Sequence, residues 1–219
     1  MVVIYLLYTI NLKYANSSIC IVKEKRYGYN KKIENKNSGD NIMHYGEIIT
    51  ADCANGVGMR VSLFVSGCTN CCKGCFQPET WDFSHGPEYT KETEDFIIEE
   101  LKKPYYKGLT ILGGEPFEIA NQPEVAALIR RLKAELPSRD IWMYTGFLYD
   151  VDLQPQGRRY TEVTDEILDS IDILVDGKFE QELRNLMLKF RGSENQRIID
   201  MKQTRKLGKL VLSELNNMD

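Results

Sequence analysis

Histidine is nearly missing from this chain of 219 residues: His44 and His85 are the only two, and neither has company suited to ligation. That scarcity counts against metal knuckles of the Cys-His type, which pair ligands across a longer loop. Long apolar runs are also absent. The opening MVVIYLLYTI is apolar for about ten residues, too short to span a bilayer, and it lacks the basic flank and small-residue cleavage site of a signal peptide. Positive charge is in deficit. The formal net charge is −4, and the first 42 residues hold seven basic against three acidic side chains, so residues 43–219 carry about −8. A body that acidic matches a phosphate backbone poorly, so neither nucleic acid nor a membrane is expected as a partner. The one basic cluster, Lys202, Arg205, Lys206 and Lys209, reads as a solvated helix face.

Cysteine is present where other ligands are scarce. Four of the six cysteines (Cys68, Cys71, Cys72, Cys75) fall within eight residues, too crowded for relaxed disulfides. Secreted frameworks spread their cysteines through small domains, so a reducing, cytoplasmic compartment is expected, with Cys20 and Cys53 as free thiols buried like small hydrophobes. In the run SGCTNCCKGCF the separations of Cys68, Cys72 and Cys75 are four and three residues. Such spacing gathers three thiolates, which select iron-sulfur clusters, zinc or copper(I) over hard cations. A closed site takes four protein ligands, and no fourth follows at a matching distance. A four-iron cluster on three thiolates leaves one iron open. The competing reading is a structural zinc site completed by Cys71 or Cys53, or an iron-sulfur module that only docks to a partner. Cys71 adjoins Cys72 and leaves the loop in another direction, so it is omitted from the ligand set.

Met43 begins a different pattern. Residues 1–42 run from the apolar opening into KEKRYGYNKKIENKNSGDN, too polar to order itself, and are expected to be a disordered arm or sequence upstream of a true start at Met43. From there strands and helices alternate. Arg60 to Ser66, Leu109 to Leu112, Asp140 to Thr145 and Ile171 to Val175 read as strands. Thr90 to Lys102, capped by Thr90, Asn121 to Leu136, capped by Asn121, and about Thr161 to Ser170 read as helices. Alternation of this kind argues for an α/β fold with a mostly parallel sheet, whose sites lie at the C-terminal ends of the strands. Cys68, Gly113-Gly114-Glu115-Pro116, Thr145-Gly146 and Asp176-Gly177-Lys178 each follow a strand, so all fall on one rim. Residues 43–219 are shorter than the roughly 200 or more of a complete eight-unit barrel, so the sheet is expected to stay open.

Two glycines at a strand end permit positive φ and close approach of a ligand to the main chain, where carbonyls can accept bonds from an ammonium group. Glu115 adds a carboxylate and Pro116 stiffens the exit. Alone, Gly-Gly-Glu-Pro is an ordinary turn. Joined to a three-thiolate loop one βα unit upstream, it resembles the radical S-adenosylmethionine (radical SAM) superfamily, whose signature is Cys-x3-Cys-x2-Cys after the first strand and a Gly-Gly-Glu-Pro-like segment after the second. The stretches NGVGMRVSLFVSGC, KGCFQPETW, DIWMYTG, ILVDGKF and KFRGSENQRIID narrow the resemblance to activating proteins of anaerobic ribonucleoside-triphosphate reductases. It covers nearly all of residues 43–219. Two departures stand out: Val57 occupies the place of a usual proline, and Cys71 is an extra thiol.

The resemblance implies an incomplete, open (β/α) radical SAM barrel. It implies a [4Fe-4S] cluster on Cys68, Cys72 and Cys75, with the open iron chelating S-adenosylmethionine. Gly113, Gly114 and Glu115 would contact the methionine end, and Gly74, Cys75 and Phe76 would border the ligand. No side chain is assigned a catalytic role beyond the two cofactors. Reductive cleavage would give methionine and a 5'-deoxyadenosyl radical, which takes a hydrogen from a glycine of the large reductase subunit to store a glycyl radical. A flavodoxin is the reductant the family implies. A neighbouring reading is the activase of another glycyl-radical enzyme such as pyruvate formate-lyase, whose chains are longer and lack the RGSxNQR-like segment. Arg191, Gly192, Ser193, Asn195 and Gln196 form either an ordinary turn or part of the open flank or adenosyl pocket; Trp81, Trp142 and Tyr144 read as packing.

Overall fold

The structure, a computed structural model, describes residues 42–217. The expectation for the N-terminal arm, and for Cys20 within it, therefore lies outside the described residues, apart from Ile42. Ten regular elements follow one another: β1 (Tyr45–Asp52), β2 (Arg60–Val65), α1 (Lys91–Leu101), β3 (Gly108–Gly113), α2 (Gln122–Glu135), β4 (Asp140–Tyr144), α3 (Thr164–Ser170), β5 (Ile173–Asp176), β6 (Arg197–Asp200) and α4 (Met201–Leu207). The strands make one six-stranded sheet in chain order. β2 to β5 run parallel, while β1 and β6 lie antiparallel on the two edges, so the sheet is mostly parallel and not closed.

Burial explains which strands the sequence announces. β2 is buried at five of six positions and β3 at five of six, the continuous apolar signature of strands covered on both faces. β1 is largely half-buried or exposed and carries Gly46 and Glu47, which is why its sequence gives no strand signal. α2 presents Val125, Leu128, Ile129 and Leu132 to the core on one stripe, and α1 adds Ile97, Ile98 and Leu101. Thr90 caps α1 as expected, with its hydroxyl accepting from the amide of Thr93. Asn121 does not cap α2. Its side chain instead donates to the carbonyls of Ser66 (2.9 Å) and Glu115 (3.0 Å), tying two strand ends together.

Other expectations shift. The strand read from Ile171 begins at Ile173, because Ile171 ends α3 and the Asp172 carboxylate accepts the Ile141 amide. Cys53 is exposed rather than buried, since β1 ends at Asp52 and the chain turns out into a loop. In the basic cluster, Lys202 pairs with Asp172, and Arg205 pairs with Asp165 (3.0 Å) and Asp169 (2.5 Å), so two of its charges fasten α4 to neighbouring acids. Trp142 is buried against Phe190, with ring centroids 5.3 Å apart. Among the described residues no helix is long and apolar enough to cross a membrane.

Candidate metal centre

Each parallel strand hands the chain to a loop at the same end of the sheet. After β2, the amide of Gly67 donates to Thr80 O (2.8 Å) and that of Cys68 to Trp81 O (3.2 Å), so the cysteine loop is closed at its base by the short 3-10 helix Pro78–Trp81. Inside the loop, the left-handed φ of 45° at Cys71 turns the chain immediately before Cys72, and the amide of Cys75 donates to Cys72 O (3.1 Å). Cys68 is buried, and Cys72 and Cys75 are half-buried.

Burial pushes the Cys68 thiol up to about 12, and the nearby Glu115 adds to the effect. Burial also raises Cys72, opposed by the charge of Lys178 and the amide of Phe179 from the loop after β5. The thiols feel one another as well: Cys72 acts on Cys68, and Cys75 acts on Cys72. A loop that desolvates mutually repelling thiolates suits a cationic metal group, which holds its thiol ligands deprotonated. Among the described residues no three His, Cys, Asp or Glu side chains gather closely enough for one metal ion. A multi-iron cluster asks for a wider set, with each thiolate on a different iron.

The second loop packs closely against the first. Gly113 has φ 102°, and a β-carbon there would lie 2.7 Å from Phe64 Cα. At Gly114 a β-carbon would meet the carbonyl oxygens of Gly67 (2.7 Å), Thr80 (2.9 Å) and Val65 (3.0 Å). Only glycine fits against these carbonyls. Glu115 turns inward and is fully buried. Its Oε1 accepts from Phe117 N (3.0 Å) and Thr145 Oγ1 (2.8 Å), and its Oε2 from Gly146 N (2.8 Å) and Asn70 Nδ2 (3.0 Å). Burial pushes this carboxyl up to about 7 despite the four donors. Its contacts are thus spent on the cysteine loop, its own loop and the loop after β4.

Gly74 and Phe76 are exposed on the cysteine loop. The Phe76 ring lies 6.0 Å from that of Phe179, and the Arg184 guanidinium sits 5.7 Å from its centroid. The polar group near the C-terminus forms a self-bonded turn under the fourth rim loop. Gln196 accepts the amides of Gly192 and Ser193 and donates to Gly177 O, Asn195 donates to Lys178 O, and Arg191 donates to Gln196 O and Asn216 O. Residues not singled out from sequence complete the rim, Thr69, Asn70, Glu118 and Arg159, together with Asn121, which the sequence offered only as a helix cap. A partial signal existed for two of them, since Thr69 and Asn70 lie between the first two thiols.

The 4Fe-4S single cluster domain family matches residues 54–199. The chain is 44% identical over 157 residues to the anaerobic ribonucleoside-triphosphate reductase-activating protein of Vibrio cholerae, covering 70% of this chain and 96% of that protein. The proteins of the same name from Escherichia coli K12 (38% over 156 residues; 70% and 96%) and Enterobacteria phage T4 (37% over 156 residues; 71% and 93%) are also similar. The chain belongs to this family of activating proteins. The stretch matched by the cluster-domain family contains the three thiols, the glycine pair and the polar turn, so this activating-protein family member carries its whole candidate rim inside the matched region.

Proposed function

We propose that this chain activates anaerobic ribonucleoside-triphosphate reductase by reductive cleavage of S-adenosylmethionine at a [4Fe-4S] cluster on Cys68, Cys72 and Cys75. The observation that carries the reading is the joining of a three-thiol loop to a carbonyl-lined glycine hinge at one end of an open parallel sheet, in a chain 44% identical to a protein of that name. In this reading the sheet is an incomplete radical SAM barrel. When bound, the two cofactors supply one-electron cleavage of a carbon-sulfur bond, giving methionine and a 5'-deoxyadenosyl radical that takes a hydrogen from a glycine of the reductase.

The protein's part is placement. Gly113 and Gly114 border the methionine moiety: Gly114 packs against the carbonyls of Val65, Gly67 and Thr80 where no side chain would fit, and Gly113 supplies the turn. Glu115 acts from behind, holding three rim loops in register through its four hydrogen bonds. Phe76, with Gly74 and Cys75 beside it, borders the ligand and shields it from water on the open side. The large reductase subunit is the macromolecular partner, a flavodoxin-like protein is the electron donor, and the setting is the cytoplasm.

Anaerobic reconstitution with iron and sulfide, followed by incubation with S-adenosylmethionine, dithionite and the reductase, tests the reading. About four irons per chain, methionine release and a glycyl doublet by electron paramagnetic resonance are the expected results. A single tightly held zinc with no methionine would overturn it.

A further inference from the structure

We propose that Thr69, Glu118 and Arg159 form a clamp that positions the cysteine loop and sets the charge beside the metal group. The inference rests on the cluster assignment above. Thr69 follows the first thiol directly, and both its amide (2.8 Å) and its hydroxyl (2.6 Å) donate to Glu118 Oε1. Arg159 pairs through Nη1 with Glu118 Oε2 (3.1 Å) and donates through Nη2 to Thr69 Oγ1 (2.5 Å), closing a three-residue ring. The ring joins three loops: the one after β2, the one after β3 and the one between β4 and α3.

This is not an ordinary surface ion pair. The Glu118 side chain is 4% exposed and that of Arg159 is 18% exposed, so each charge depends on the other for solvation. Arg159 is itself held in place. Its carbonyl accepts from Gln122 Nε2 (2.7 Å) at the start of α2, its amide donates to Asp152 O (3.0 Å), and its guanidinium lies 4.6 Å from the centroid of the buried Phe147 ring. A cation fixed this firmly against the residue that follows Cys68 does two things. It aims Glu118 at Thr69, and it offsets a second buried carboxylate on a rim that already holds Glu115. Net charge and hydrogen bonding near an iron-sulfur cluster set its reduction potential, with nearby positive charge favouring the reduced form. Arg159 and Glu118 are therefore positioning residues, and their effects on the potential oppose each other.

Two measurements on the full chain test the clamp. In the metal-free protein, amide hydrogen exchange at Thr69 is expected to be about tenfold faster in Glu118→Ala, because a charge-assisted hydrogen bond is lost, and near wild type in Glu118→Gln, which keeps an acceptor. In the reconstituted protein, Arg159→Met is expected to lower the reduction potential. The double variant Glu118→Gln/Arg159→Met is expected to return it toward wild type, as is the conservative Arg159→Lys. Unchanged Thr69 exchange in Glu118→Ala overturns the positioning role, and a potential indifferent to Arg159→Met overturns the charge role. If wild-type protein takes up no iron, the functional reading fails, while the exchange measurement still decides whether the clamp exists.

Discussion

The two ends of the parallel sheet are built from the same strands and use buried polar groups in opposite ways. At the N-terminal end, Arg60 opens β2 and Asp140 opens β4, paired at 2.7 Å with the arginine fully buried. Arg60 also donates to Thr110 Oγ1 (2.7 Å), Leu109 O (2.8 Å) and Val57 O (3.1 Å), and its guanidinium lies 5.3 Å from the Trp142 ring. Burial pulls its pKa down while Asp140 opposes the shift. At the C-terminal end the same two strands lead into Cys68 and into Thr145-Gly146. There Glu115 is likewise held by protein donors, while the desolvated thiols of Cys68 and Cys72 are the groups that the proposed cluster would take. One end uses its polar groups to fasten strands; the other uses them to hold three loops around the thiols.

The largest test of that contrast is Cys72→Ser or Cys75→Ser. Either is expected to abolish cluster assembly and methionine formation together, read by iron content and product analysis, with unfolding of the metal-free protein little changed. A serine variant that still activates the reductase at the wild-type rate would remove the ligand assignment. At the opposite end, Arg60→Met should cost about 3–5 kcal/mol in denaturant unfolding, because it breaks the pair with Asp140 and leaves the buried Thr110 and Leu109 acceptors without their donor, while iron bound per folded chain stays the same. Loss of iron without loss of stability would show that the two ends are not separable.

Gly114→Ala comes next, at about 1–3 kcal/mol of strain, since its β-carbon meets three carbonyl oxygens at 3.0 Å or less. Iron uptake is expected to survive while methionine formation is lost; equal loss of both would place the glycine in cluster support instead. The smallest effect is a slope. Glu115 has a folded-state pKa of about 7 against an ordinary 4.5, so the folded chain keeps a proton that the unfolded chain has released. Stability contributed at low pH is therefore lost as pH rises from about 4.5 to about 7, and the loss levels off above that. Glu115→Gln should flatten this part of the curve of melting temperature against pH, and an unchanged slope would mean that the buried carboxyl is ionised throughout.

Legibility followed burial and spacing. The four parallel strands were readable because both faces are covered, and α1 and α2 because their apolar stripes are continuous. β1 and β6 were missed because an edge strand needs little apolar sequence when its neighbour supplies the hydrogen bonds. Asn121 shows the limit of local rules: it sits where a helix cap belongs, yet its amide donates to Ser66 O, 55 residues earlier in the sequence, as well as to Glu115 O.

By itself the sequence determined the thiol triplet, the glycine hinge and their shared rim, because ligand spacing and strand-end placement are local properties of a βα chain. Only the tertiary structure decided that Glu115 faces inward, that Glu118 and Arg159 grip Thr69, and that Arg60 seals the far end. Those contacts join residues from separate loops and strands, and a buried charge can choose its partner only once packing has excluded water.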